Sequence, residues 1–157
     1  MSTVTSTGSR LAAWVSFLRA HSAITRQLNA DLLAEHGLTL NDYEVLLLLH
    51  HSDDGMMRRV DLAERVVLTA SGITRLLDGL ERAGFVEKAA SESDARVSYA
   101  KLTRTGREKL RAAATTHLSG VDDLFVSRFD GSELEALAEL LGRLPLSGKD
   151  CTERSCG

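Results

Sequence analysis

Hydrogen-bonding chemistry is concentrated between Thr69 and Arg75, where the chain reads Thr-Ala-Ser-Gly-Ile-Thr-Arg. Ile73, Leu76, Leu77 and Leu80 recur at three- and four-residue steps, which commits one face of a helix over 70–83 to a core. The opposite face carries Ser71, Thr74, Arg75 and Asp78. A helix meant only for solvent would carry more Glu and Lys there. Small donors on its N-terminal half suit a helix whose first turns enter a major groove. Ser71, Thr74 and Arg75 are the candidates for base edges, Arg75 being suited to a bidentate contact with guanine. Thr69 offers an N-cap hydroxyl. With Ala70 and Gly72 it brings backbone amides to the positive end of the helix, where a phosphate would sit. The competing reading of Arg75 is an ordinary solvated position, and Thr69 is a cap under either.

The elements around this stretch have to present it. Leu62, Ala63 and Val66 mark a short amphipathic helix over 61–66, so the pair reads as a helix-turn-helix, and Gly84 can close the second helix in a left-handed conformation. Phe85–Lys88 and Val97–Leu102 then alternate apolar and polar residues, the period of a half-buried strand. The polar run Ala89–Arg96 between them can close a hairpin. Charge follows the same division. From Gly55 to Arg111 there are 12 Lys and Arg against 8 Asp and Glu, a balance of +4, while the whole chain carries −3. The basic part, with Arg75, Lys88 and Arg96, coincides with the region that would meet phosphates. The acidic remainder would be repelled by DNA and orients the approach.

The run from Asp61 to Gly106 resembles the winged helix-turn-helix of the MarR family of transcriptional regulators. Its distinctive part is the wing signature, met here by Asp94, Arg96, Leu102, Thr103 and Gly106. The likeness extends from Leu11 to Leu144. It implies a mainly α fold with a small β-wing, in which the long N- and C-terminal helices form a dimerisation region. The corresponding division is 1–37 and 103–146 for that region, 38–102 for the winged DNA-binding lobe and 147–157 for a polar, frayed tail. It also implies a third strand near Met56–Val60, Arg96 reaching into a minor groove, and Asp94 holding the wing arginine in place. The alternative for Asp94 and Arg96 is a surface ion pair of little energy.

The remaining stripes agree. Leu11, Trp14, Val15, Leu18, Ser22, Thr25, Leu28 and Leu32 run along a first helix from Ser9 to Ala34. Thr39 and Asp42 form a capping-box pattern before a nearly all-apolar helix, Asn41–His50, expected at the centre of the domain. A long helix over 104–128 and a last one carrying Leu134, Leu137, Leu140, Leu141 and Leu144 complete the set. Ser132 and Glu135 would cap that last helix and Pro145 would end it. Stripes this long cannot be buried on so small a lobe, so two copies are expected to bury them mutually about a two-fold axis. Two recognition helices so related would read double-stranded DNA as a near-palindromic operator with half-sites about 10 base pairs apart.

The family places an effector pocket between the first two long helices, the fifth helix and the DNA-binding lobe. Candidates to line it are Trp14, Phe17, His21, Tyr43, His50 and His117, which would suit a small phenolic or aromatic ligand. Relatives that take aromatic acids often carry an Arg after the Trp, where this chain has Val15. An aromatic at helical spacing is also commonly core.

Other classes are weighed by what the 157 residues lack or contain. No nucleophile–base pair, glycine-rich phosphate loop or metal motif points to an enzyme or a cofactor. No apolar run approaches 18 residues, and Met1–Ser9 has neither a basic start nor an apolar core, so a cytoplasmic protein, on the nucleoid when bound, is expected. Cys151 and Cys156 lie far from the position used by peroxide-sensing relatives, and His21, His50, His51 and His117 do not match a known zinc spacing. Metal or thiol sensing, and a winged protein-interaction module that reads no DNA, remain the alternatives. Repressor versus activator depends on operator placement.

Overall fold

The structure, a computed structural model, describes residues 4–66 and 68–145. Helix α1 spans Val4–His36, starting earlier and ending later than its apolar stripe. Gly37, at φ +67, turns the chain back. Thr39 then caps α2, Leu40–His51, through the expected box: the Asp42 amide donates to Thr39 Oγ1 at 3.1 Å and the Thr39 amide to Asp42 Oδ2 at 2.8 Å. The Leu40 amide also donates to Asn29 Oδ1 at 2.9 Å, tying the start of α2 to α1. Tyr43, Val45, Leu46 and Leu49 are buried, so α2 does occupy the centre.

A 3-10 turn, Asp53–Gly55, leads into β1, Met56–Arg58. Helix α3 covers Arg59–Arg65 and α4 covers Ala70–Arg82. The wing is β2, Val86–Ala90, and β3, Ser98–Leu102. The sheet is antiparallel in the order β1-β3-β2, with Ala100 opposite both Met57 and Lys88. The third strand is therefore present.

Helix α5, Arg104–Leu124, is capped by Thr103, whose Oγ1 accepts the Gly106 amide at 3.0 Å and donates to Gly84 O at 2.7 Å. A Cβ at Gly106 would overlap the Phe85 carbonyl. That close approach explains the glycine of the wing signature: α5 begins pressed against the backbone that opens β2. Core side chains run without a break from Leu32 through Leu46, Leu62 and Leu77 to Leu110 and Ala113. Helices α1 and α5 thus each have one half inside this core.

Toward the C-terminal end of the described residues, three boundaries differ most from the expectation set by the sequence. Helix α5 stops at Leu124, where Phe125 takes φ −130, ψ −65, and a 3-10 turn Val126–Arg128 follows. Helix α6, Gly131–Leu141, is capped by Asp130 rather than Ser132. Asp130 Oδ1 accepts the Glu133 amide at 2.9 Å and the Ser132 hydroxyl at 2.7 Å, so the carboxylate takes the cap and the serine supports it. The helix closes at Gly142, short of Pro145. The tail over 147–157, with Cys151 and Cys156, lies outside the described residues, as do residues 1–3. No described helix is long and apolar enough to cross a membrane.

Candidate nucleic-acid interface

Helix α4 divides as its sequence dictates. Ile73, Leu77 and Leu80 are buried, while Ser71, Thr74 and Arg75 are exposed. Thr69 stands at φ −70, ψ 161 and accepts the Gly72 amide on Oγ1 at 3.1 Å. The first turn is thereby held with its remaining amides pointing outward, at the positive end of the helix dipole. Thr69 Oγ1 and Ser71 Oγ lie 3.2 Å apart and share a hydrogen bond. The Thr74 hydroxyl donates to Ala70 O at 2.9 Å, which leaves its lone pairs outward as acceptors. Arg75 forms no ion pair among the described residues. Its donors are therefore free for an incoming ligand.

The wing tip presents one cation. Asp94 Oδ1 accepts the Arg96 amide at 2.9 Å and lies 3.6 Å from Arg96 Nε. Ser91 Oγ accepts the Ser93 and Asp94 amides at 3.2 and 3.3 Å, and the Val97 amide donates to Asp94 O at 3.1 Å. These bonds rigidify the loop, while the Arg96 side chain remains 94% exposed. Asp94 fixes the backbone beneath the arginine and pairs with its Nε, while the head as a whole stays in solvent. Lys88 stands differently: its Nζ lies 3.7 Å from Glu81 Oε2.

The six residues expected to line an effector pocket are not brought together. Trp14, Phe17 and His21 stack along α1 with ring centroids 6.2 and 6.3 Å apart. Phe17 and His21 border a cleft of about 560 Å³ that Phe125, Phe129, Leu137 and Leu141 close from the other side. Tyr43 and His117 instead form a packed pair between α2 and α5, centroids 4.5 Å apart. Burial pushes the Tyr43 phenol up and the His117 imidazole down, each shift favouring the neutral form. His50 is exposed beside His51, and its Nδ1 lies 3.5 Å from Arg107 Nη1. Its imidazole is held low by partial desolvation and by the positive charge of His51, Arg107 and Arg111. Helical spacing locates the faces correctly but does not say which neighbour each face meets. Phe129 carries no such signal, because it is the break after Leu124 that turns it back toward α1. Among the described residues, no group of three His, Cys, Asp or Glu is placed to hold a metal ion.

The family model for the MarR family matches residues 38–98. The HTH-type transcriptional regulator MhqR of Bacillus subtilis is 28% identical over 139 residues, covering 88% of this chain and 93% of MhqR. Among solved structures, AbsC of Streptomyces coelicolor, a MarR family transcriptional regulator, superposes with a TM-score of 0.79 at 33% identity, covering 85% of this chain and 89% of AbsC. Sco3205 of the same organism, a MarR family regulator solved in complex with DNA, superposes at 0.79 with 26% identity, over 86% of this chain and 91% of its own. These relatives are regulators of transcription, not enzymes.

Proposed function

This chain is a member of the MarR family of DNA-binding transcriptional regulators, and on that premise we propose that it acts as a homodimeric repressor of a near-palindromic operator, released by a small aromatic ligand. The observation that carries the reading is the exposed set Ser71, Thr74 and Arg75 at the capped start of α4, on the same lobe as the solvent-exposed Arg96.

Thr69, Ala70 and Gly72 bring backbone amides to a phosphate and set the depth of α4 in the major groove. Arg75 bonds a guanine through its two parallel donors. Thr74, with its proton held by Ala70 O, accepts from the exocyclic amine of adenine or cytosine. Arg96 enters the adjacent minor groove, where a narrow and strongly negative groove favours it.

Two copies place two such lobes on one face of the duplex. The outer half of α1 leaves Leu11, Trp14, Val15 and Leu18 exposed, and α6 leaves Leu140 exposed. Mutual burial of these faces gives an isologous dimer. Where the operator overlaps a promoter, a dimer seated across two major grooves excludes polymerase from the same DNA, which is repression.

The cleft beside Phe17, His21, Phe125 and Phe129 suits a neutral aromatic or phenolic compound, because its lining is almost wholly apolar. It borders the helices proposed to dimerise. A ligand there favours one relative placement of the lobes by its differential affinity, which is how occupancy would change half-site spacing.

The test is binding to the DNA flanking its own gene. Two chains should occupy one site, and Arg75→Ala should cost about 1–3 kcal/mol of specific binding while sparing sequence-blind binding. A single chain per site, or binding indifferent to sequence and to Arg75, would sink the proposal.

A further inference from the structure

Most ion pairs of the winged lobe lie in solvent, and Glu81 is the exception. Its side chain is only 19% exposed, as is roughly true of Arg59 at 17%. Glu81 stands in the last turn of α4. Its Oε1 lies 3.9 Å from Arg59 Nη1, on the first residue of α3, and its Oε2 lies 3.7 Å from Lys88 Nζ on β2. Oε1 is buried and has no hydrogen-bond partner among the described residues. A carboxylate so far out of water is tolerated only where positive charge compensates it. Here the compensation comes from two elements at once.

The location gives this charge cluster a task. Between α4 and β2 the chain passes through Gly84 at φ +79, so the angle between recognition helix and hairpin is set at a residue with wide conformational freedom. Glu81 lies before that glycine and Lys88 after it. Thr103, through Gly84 O and Phe85 O, fixes one side of the turn. The other side is spanned by the charge pair.

We infer that Glu81 is a positioning residue that, through Lys88 and Arg59, holds the wing and α3 at a fixed spacing from the recognition helix, and that Lys88 serves this brace rather than a phosphate. The consequence for DNA rests on the functional reading above. The brace itself does not.

The experiment pairs amide hydrogen exchange with operator titration, using the full-length protein. Glu81→Gln keeps the shape and removes the charge. Exchange at the hydrogen-bonded amides of β2 and β3 should quicken about tenfold, with α2 and α5 unchanged. Operator affinity should fall about tenfold, as it should for Arg96→Ala alone. In the Glu81→Gln background Arg96→Ala should then cost less than about twofold, because a misplaced wing no longer brings that arginine to the groove. A purely global destabilisation would quicken exchange everywhere and leave the two effects multiplicative, and that result overturns the proposal. Lys88→Met should reproduce the hairpin exchange. If it leaves exchange alone and only lowers the salt slope by about one, Lys88 binds a phosphate and the brace is overturned. If the unaltered protein shows no sequence-specific binding, the functional reading falls, and hydrogen exchange alone decides for or against the brace.

Discussion

Leu32 and Leu18 lie on one helix, yet the first is fully buried and the second is 44% exposed. The same contrast separates two regions of the molecule. Around α2, the chain wraps its own apolar residues: Val45, Leu46, Leu49, Leu62 and Leu77 have no exposed surface. Along the outer half of α1, every residue from Leu11 to Ala23 is exposed, and α6 has no buried residue. Both regions are rich in leucine. What differs is whether one copy of the chain supplies the covering surface. The lobe is self-sufficient, so its exposed groups are free to be polar. The outer helices keep apolar faces exposed, which a soluble monomer seldom does over such an extent.

Substitutions on the two sides should therefore have different consequences. Leu46→Ala, at the centre of the self-closed region, should destabilise folding by about 3–5 kcal/mol, visible as a lower midpoint in urea. Trp14→Ser together with Leu18→Ser should weaken dimerisation by about 3 kcal/mol, read by sedimentation, with only a small change in the unfolding of the lobe. If that pair lowers the urea midpoint as Leu46→Ala does while leaving the sedimentation unchanged, the outer face is not an interface and the contrast fails.

Smaller effects probe the polar side of the lobe. Thr69→Ala removes the cap of α4 and should cost about 1 kcal/mol of stability, with operator binding weakened by a comparable factor. His117 tests the packed pair with Tyr43. Its folded-state value is depressed by burial, so the unfolded chain binds a proton first as pH falls. Stability from this group is present above the unfolded imidazole value of about 6.5 and is lost as pH falls through the folded value. His117→Phe should flatten the acid side of the stability profile. An unchanged acid limb would place the titration elsewhere.

Much of the lobe is legible in the sequence because its signals are local. Thr39 with Asp42, Thr69 with Gly72, and Leu102-Thr103 with Gly106 act over one helical turn, and a pattern over three or four residues contains the whole interaction. Asp94 with Arg96 is equally local. The features that stay hidden all involve partners distant in sequence. Phe17 faces Phe129 across the cleft only because α5 breaks after Leu124, and nothing in the stripe of α5 announces that break. Glu81 reads as one more polar helix residue until α3 and β2 bring Arg59 and Lys88 beside it. At Asp130 and Ser132 two caps compete, and the carboxylate prevails because it accepts both the amide and the serine hydroxyl.

On the proposed function the lobe divides its labour, with α4 reading bases and the wing reading groove shape. A salt-dependent titration of operator and unrelated DNA with the unaltered protein, Arg75→Ala and Arg96→Ala tests it most directly. Salt dependence should be steep, its logarithmic slope falling by about 0.9 for each phosphate that a substitution leaves without its cation. Arg75→Ala should collapse the preference for operator over unrelated DNA. Arg96→Ala should weaken binding most where the flanking minor groove is narrow. Weak, shallow salt dependence, with neither substitution altering the preference, would remove α4 and the wing from the interface.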